Sequence, residues 1–292
     1  MRKWKLEFMA SLGYSHMPPR RVAASLSGVG YQAVGWTLAH FNPRSHSKEH
    51  LAEVVRASHD YGLDIGEIVV QQDYVSLDEQ VRSDRIRLSL ECIAAAADHG
   101  LTVLNFFTGP APWDPSAPVI GRDIEEDAAR DMVLRAYEQI VCAAERNRVH
   151  IAVEGVWGML CRDYHTTLPL IEHFSSPWLG VNFDPSHDIL SGNLDIAAII
   201  KRWGSERIFH IHLKDAVGVP QMGKFLFPML GEGLVPWDGF FTALVEIGYA
   251  GCCSVEFESF AYHNQVLKGD TEQAARLSYD QVKALLPSNQ VK

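Results

Sequence analysis

Eight short apolar segments, separated by longer stretches with helical periodicity, constrain what this chain can fold into. The apolar segments are four to eight residues long, and several are almost continuously hydrophobic rather than alternating. Continuous apolar runs of this length are typical of parallel strands that helices cover. We therefore predict strands over residues 5–10, 33–36, 63–70, 102–107, 150–154, 179–184, 208–213 and 252–257.

The stretches between these strands carry apolar residues at helical spacing and have recognisable end signals. Gly62, Gly100 and Gly248 each follow such a stretch, where glycine commonly ends a helix. Ser76 and Glu79 have the spacing of a capping box, which predicts the start of the third helix. The predicted helices cover residues 19–27, 48–61, 77–99, 124–147, 166–174, 194–203, 237–247 and 271–286.

A strand followed by a helix, repeated eight times, predicts the α/β class and a single (β/α)8 (TIM) barrel. A barrel of this kind needs about 250 residues, so one domain over residues 1–292 uses most of the chain. The alternative, a doubly wound sheet, lacks support because no Gly-x-Gly-x-x-Gly pattern follows the first strand. Residues 110–122 and 216–234, rich in proline or glycine, are predicted to be long active-site loops.

Composition and charge disfavour several classes of function. The chain has 36 acidic and 26 basic residues and a net charge of −10, which opposes binding to nucleic acid or acidic membranes. No apolar run reaches the ~18 residues of a membrane span, and the basic start leads into no apolar signal core, so we expect a cytoplasmic protein. The five cysteines include no Cys-x-x-Cys pair, which argues against a zinc ribbon or a disulfide framework.

Ionisable side chains stand at the carboxyl ends of the last four predicted strands. Glu154 ends the fifth strand, Asp184 ends the sixth, His212 lies in the seventh and Glu256 in the eighth. Glu154 and Asp184 are 30 residues apart, and Asp184 and His212 are 28 apart. One βα unit takes about 31 residues, so each step moves one strand around the barrel at the same rim. The longer step of 44 residues to Glu256 includes the loop 216–234.

Three carboxylates and an imidazole that share a cavity require either a neutralising cation or raised pKa values. A divalent cation is the simpler solution, and this oxygen-rich set suits Mn²⁺, Mg²⁺, Co²⁺ or Fe²⁺. Taken singly, each residue also has an ordinary structural interpretation. Asp184 precedes Pro185 and fits a turn, and either His210 or His212 fits a hydrogen-bonded core position. Because the three carboxylates and the imidazole are all expected at the same rim of the barrel, a shared metal site is favoured over these separate structural roles.

Four strings in the second half of the chain carry a family resemblance. They are Phe183-Asp184-Pro185-Ser186-His187, His210-Ile211-His212-Leu213-Lys214-Asp215, Leu230-Gly231-Glu232-Gly233, and Gly248-Tyr249-Ala250-Gly251 leading to Ser254-Val255-Glu256. In order and spacing they resemble the sugar phosphate isomerase/epimerase family of the xylose isomerase-like TIM barrel superfamily. The resemblance is strongest over residues 151–260. It implies one divalent metal ion, with Mn²⁺ first and Mg²⁺, Co²⁺, Fe²⁺ or Zn²⁺ as alternatives, and a homo-oligomer as found in that family.

The resemblance also implies roles for individual residues. The metal ion is held by Glu154, Asp184, His212 and Glu256, and the two glutamates double as an acid/base pair on opposite faces of a bound sugar. His187 contacts substrate hydroxyls or joins the metal shell. His210 is a substrate-binding candidate and otherwise a neighbour of the ligand histidine.

Two further residues are candidates for substrate contact. Lys214 lies at the predicted rim, where the alternative is a structural salt bridge with Asp215. Trp157 lies near a strand end, where it either walls the cavity or belongs to the core.

The chemistry implied is proton abstraction next to a carbonyl of a small sugar or polyol. The metal ion polarises the carbonyl and stabilises an enediolate, while one carboxylate takes the proton and a second delivers it. We therefore predict a metal-dependent isomerase or epimerase of a sugar, keto-sugar or sugar phosphate. A dehydratase or lyase of the inosose or dehydroshikimate type shares the first half-reaction and stays as the alternative.

Two other classes are disfavoured. The abasic-site endonucleases of the same superfamily use extra histidines from strands three and four, which have none here, and the charge of −10 opposes DNA. The second is a barrel that only binds a sugar, which would keep its binding when Glu154 or Glu256 is lost. The complete set of acid/base groups and metal ligands disfavours it.

Overall fold

The computed structural model describes residues 4–287 and contains a closed barrel of parallel strands. Each predicted strand is present with its ends within two residues of the expected positions, so the (β/α)8 prediction is confirmed. The last strand closes the barrel by pairing with the first and the seventh. The barrel strands are β1 (Lys5–Met9), β2 (Ala33–Thr37), β3 (Asp64–Val70), β4 (Val103–Phe106), β5 (His150–Glu154), β6 (Leu179–Phe183), β7 (Ile208–Leu213) and β10 (Cys252–Val255).

Helices follow the strands and cover the outside of the barrel. Eight of them match the predicted helices to within two residues at each end. Within residues 4–287 no helix is long and apolar enough to span a membrane. The helices are α1 (Pro19–Val29), α2 (Lys48–Asp60), α3 (Glu79–Asp98), α4 (Glu126–Asn147), α5 (Tyr164–Phe174), α6 (Pro185–Leu190), α7 (Ile196–Trp203), α8 (Trp237–Glu246), α9 (Phe260–Gln265) and α10 (Thr271–Leu285).

The prediction of the helices was wrong or incomplete in three places. The capping box at Ser76 is not formed, because the side chain of Asp78 caps α3 by accepting the N–H of Gln80 at 2.8 Å. The helices α6 and α9 were missed, since six residues are too few for a clear amphipathic repeat. A short 3₁₀ helix, Leu12–His16, was missed for the same reason.

Asp215 organises the long loop after β7. Its buried carboxylate accepts hydrogen bonds of 3.0 Å from the backbone N–H groups of Ala216, Gly231, Gly233 and Val235 and from the indole N–H of Trp237. An ionised carboxylate only accepts hydrogen bonds, so it matches this ring of donors. Asp215 therefore faces the loop and not Lys214. The loop itself contains a small antiparallel hairpin of β8 (Val217–Gly218) and β9 (Phe225–Leu226).

The barrel interior contains polar side chains among its apolar ones. Glu7 of β1 and Glu67 of β3 are fully buried there, although strands in a barrel usually direct bulky apolar residues inward. The pairing of β2 with β3 shifts by one residue, from Val34 opposite Ile65 to Gly35 opposite Glu67. This irregularity turns Glu67 into the barrel. Gly35 has no side chain and so provides the space that these carboxylates occupy. A Cβ at this position would lie 2.6 Å from Oε1 of Glu7.

Replacing Asp215 with asparagine is expected to destabilise the protein. The substitution puts an NH₂ group against N–H donors and leaves buried donors without an acceptor, so the free energy of unfolding should fall by about 3 kcal/mol or more. Urea denaturation measures the change. The control is Asp238→Asn at an exposed position in the first turn of α8, where we expect less than about 1 kcal/mol. Similar losses in both variants would contradict the role given to Asp215.

Candidate active site and metal centre

Four ionisable side chains meet at the carboxyl end of the barrel. Glu154 is the last residue of β5, Asp184 follows β6, His212 lies in β7 and Glu256 follows β10. One ligand-type atom from each lies within 4.8 Å of the others, and all four side chains are buried. The structure thus brings together the four residues that sequence spacing placed at one rim.

His212 is held between carboxylates on both of its ring nitrogens. Nδ1 lies 3.2 Å from Oε1 of Glu154 and 3.2 Å from Oε2 of Glu256, while Nε2 lies 2.7 Å from Oε1 of Glu67. Burial alone would lower the pKa of His212, but the three carboxylates outweigh it and raise the pKa well above its ordinary value. The N–H at Nε2 donates a hydrogen bond to Glu67, and Nδ1 faces Glu154 and Glu256.

Two hydrogen-bonding partners of the site were missed by the sequence analysis. Glu67 contacts His212 across the barrel, and the amide of Asn105 donates to Oε2 of Glu154 at 2.7 Å. Both are polar residues inside otherwise apolar strands, and that is the signal by which the sequence could have revealed them. The partners could not be identified from the sequence, because they lie 49 residues away for Asn105 and 145 residues away for Glu67.

Lys214 lies against three carboxylates of the site. Its Nζ is 3.0 Å from Oδ2 of Asp184, 2.5 Å from Oε2 of Glu256 and 3.1 Å from Oε2 of Glu258. Burial would lower the pKa of Lys214, but these carboxylates raise it well above its usual value, so the amine stays charged. The ammonium also lies 4.7 Å from the ring centroid of Phe227. Lys214 is therefore part of the cluster itself.

His187 directs one ring nitrogen into the site. Nδ1 accepts the backbone N–H of Trp157 at 3.2 Å, and Nε2 lies 3.5 Å from Oδ2 of Asp184 and 3.9 Å from Oε1 of Glu154. Burial and the charge of Lys214 hold the pKa of His187 well below its ordinary value, so the ring is neutral. Because Nδ1 is an acceptor, the proton is on Nε2. The side chain therefore presents a hydrogen-bond donor to the site.

His210 lies deeper in the barrel than the other candidate residues. Its Nδ1 is 3.2 Å from Oδ1 of Asn182, and its Nε2 is 3.3 Å from Oε1 of Glu7. The ring centroids of His210 and His212 are 5.5 Å apart. The predicted substrate contact of His210 stays a prediction, and its observed contacts are with residues of the barrel interior.

The donor set fits a divalent cation. Three carboxylates and one imidazole nitrogen match the ligands that such ions take in oxygen-rich protein sites. Oδ2 of Asp184 is buried, and it forms an ion pair of 3.0 Å with Nζ of Lys214 but no well-oriented hydrogen bond. Burial raises the pKa of this carboxyl to about 6 although Lys214 opposes the shift. A second positive charge would relieve this cost of burial.

A cavity of about 860 Å³ opens above the cluster. Glu154, His187, Lys214 and Glu256 line its floor, and Trp157 lines a wall. Trp113, from the predicted loop 110–122, also lines it. The predicted loop 216–234 contributes residues between 222 and 232. Both long loops therefore border the cavity.

Comparisons with known proteins agree with this architecture. Three solved structures align with 97% of the chain. They are an IolI protein with a binding zinc atom (17% identity, 98% of that chain, TM-score 0.75), D-psicose 3-epimerase in the presence of D-fructose (15%, 99%, 0.75) and the 3-keto-D-glucoside 4-epimerase YcjR from E. coli (14%, 99%, 0.74). At these identities the likeness establishes the fold. The family described as xylose isomerase-like TIM barrel matches residues 23–282. The chain therefore belongs to the xylose isomerase-like TIM barrel family.

Proposed function

We propose that the protein is a divalent-metal-dependent isomerase or epimerase of a sugar or keto-sugar. The proposal depends above all on Glu154 and Glu256, whose carboxylates both lie 3.2 Å from Nδ1 of His212 at the floor of an open cavity. The strands that carry them, β5 and β10, are separated in the barrel by β6 and β7. The two carboxylates thus reach the same point from different sides.

Glu154, Asp184, His212 and Glu256 would hold the metal ion. Mn²⁺ is our first choice, and Mg²⁺, Co²⁺, Fe²⁺ and Zn²⁺ are alternatives. When bound there, such an ion would supply Lewis-acid chemistry, because it would offset the negative charge that develops on a substrate oxygen. The zinc atom in the IolI structure, a neighbour in fold, is consistent with a metal site on a barrel of this type.

The residues of the chain would carry out the proton transfers. Of Glu154 and Glu256, one acts as the ionised base that removes the proton from the carbon next to the carbonyl. The other acts as the protonated acid that delivers a proton to the opposite face, so the two exchange protonation states in each turnover. Asn105 fixes Glu154, and Lys214 holds Glu256 and neutralises part of the local charge. The Nε2–H of His187 donates to a substrate oxygen. Trp157, whose N–H orients His187, lines the wall beside the substrate.

The first test follows carbon-bound hydrogen in D₂O. Chelated protein is reloaded with each metal ion and given ketoses, phosphoketoses, keto-sugars and inososes. We expect metal-dependent deuterium uptake by at least one member, detected by NMR and mass spectrometry. Glu154→Gln and Glu256→Gln should each lower the rate by about 10²- to 10⁴-fold, since each removes an acid/base group.

The control for this test is Glu138→Gln at an exposed position on α4, which should exchange like the wild type. The labelled carbon distinguishes epimerisation from isomerisation, and loss of water would replace our proposal with a dehydratase. Tight metal binding without exchange on any substrate would contradict it.

A second test concerns the orientation of His212. Glu67 accepts from Nε2 of His212, so Glu67→Gln should weaken Mn²⁺ binding by about 10- to 100-fold, as is usual when the partner of a ligand histidine is lost. Glu7→Gln is the matched control, because Glu7 is equally buried but faces His210. Competition with a chelator measures the affinity, and circular dichroism verifies folding. Equal affinities in the two variants would rule out the orienting role of Glu67.

A further inference from the structure

The cavity above the catalytic floor is larger and more apolar than a single sugar ring requires. Its volume of about 860 Å³ is near the upper end of the range, about 300–1,000 Å³, that accommodates drug-sized ligands. A sugar ring bound beside Glu154 and Glu256 would occupy the floor alone. The upper walls come from the loop after β4, the hairpin loop and the segment after β10, and they are lined by Trp113, Met222, Phe225, Leu226, Phe260 and Val266.

A series of aromatic rings leads from the floor to the mouth. The ring of Phe227 lies 5.9 Å from His187 and 5.2 Å from Phe225. Phe225 in turn lies 4.7 Å from Trp157, which is 6.2 Å from Trp113. All distances are between ring centroids. The series provides a continuous apolar surface on which a planar or apolar group attached to the sugar can stack.

The charges that line the cavity disfavour a phosphorylated substrate. Among the described lining residues, Lys214 is the only lysine or arginine, and it is already paired with Asp184, Glu256 and Glu258. Four glutamates, Glu154, Glu232, Glu256 and Glu258, line the same cavity. A phosphate group would lack a free cationic partner and would meet several carboxylates, and phosphate recognition depends on such partners.

Part of the apolar wall is open to solvent. Trp113 is 50% exposed and Leu226 is 63% exposed, although both line the cavity. Exposed apolar surface of this kind marks a binding site when it is contiguous. Because it is continuous with the catalytic floor through Phe225 and Phe227, its natural occupant is a part of the same ligand.

We propose that the substrate is an uncharged sugar that carries an apolar or aromatic substituent, with the substituent lying along the surface from Phe227 to Trp113. The inference rests on the proposed function for the position of the sugar ring. It has a chemical consequence when the substituent is joined by a glycosidic bond. The anomeric carbon is then blocked as an acetal, so aldose–ketose isomerisation at that carbon is excluded. The reacting carbonyl lies on another ring carbon, where the reaction is an epimerisation or a shift of the carbonyl along the ring.

The test compares the 2-, 3- and 4-keto derivatives of phenyl and methyl glucosides with the free keto-sugars and their phosphates. In D₂O, the metal-loaded protein should catalyse deuterium uptake into both glycosides. The KM for the phenyl glycoside should be lower than the KM for the methyl glycoside by about tenfold or more. Trp113→Ala and Leu226→Ala should remove most of this difference by raising the KM of the phenyl glycoside more than that of the methyl glycoside. Leu194→Ala, at a position also 63% exposed but outside the cavity, should keep it.

Equal KM values for the two glycosides, or a preference for sugar phosphates, would overturn the inference while the proposed function stands. A second result would also overturn it: Leu226→Ala changes the oligomeric state, measured by sedimentation, but leaves the glycoside preference unaltered. The exposed apolar wall would then be an interface between copies of the chain. If no compound exchanges, the proposed function fails. Calorimetric binding of unreactive phenyl and methyl glucosides then decides this inference alone, since equal affinities would refute it.

Discussion

The concentration of buried negative charge at the carboxyl end of the barrel is the constraint on which the site depends. Glu154, Asp184 and Glu256 come within reach of one another in a setting with little water, where isolated carboxylates are costly. The positive charge near them comes from Lys214 and His212. The scaffold thus forces groups together that repel one another, and this repulsion is what makes the centre receptive to a divalent cation.

A second layer of polar residues supports this centre from inside the barrel. Glu67 holds the far nitrogen of His212, and Asn105 holds the second oxygen of Glu154. A side chain held by such partners keeps one orientation, and pre-orientation is what metal binding and proton transfer need. The irregular pairing of β2 with β3 makes the arrangement possible, because it directs Glu67 inward opposite Gly35. The irregular pairing of β2 with β3 thereby affects the orientation of His212 on β7.

Much of the fold was predictable because strands and helices follow local patterns. Apolar runs, glycine stops such as Gly62, and the spacing from Glu154 to Asp184 are all properties of short segments or of the repeat length. The short helix α6 and the hairpin of β8 and β9 were not predictable, since neither has a repeat long enough to detect. Asp215 shows the same limit: its position in the sequence favoured a pair with its neighbour Lys214, whereas its partners lie up to 22 residues away.

The sequence by itself determined the number and order of strands, the rim at which Glu154, Asp184, His212 and Glu256 stand, and the chemical character of that set. Only the tertiary structure decided which side chains touch. Glu67 and His212 are 145 residues apart, and their contact exists because the closed barrel places β3 and β7 face to face. Sequence spacing specifies how far around the barrel a residue lies, but the stagger of strands and their local irregularities set its depth and direction. Those two quantities separate His212, at the site, from His210, two residues earlier and below it.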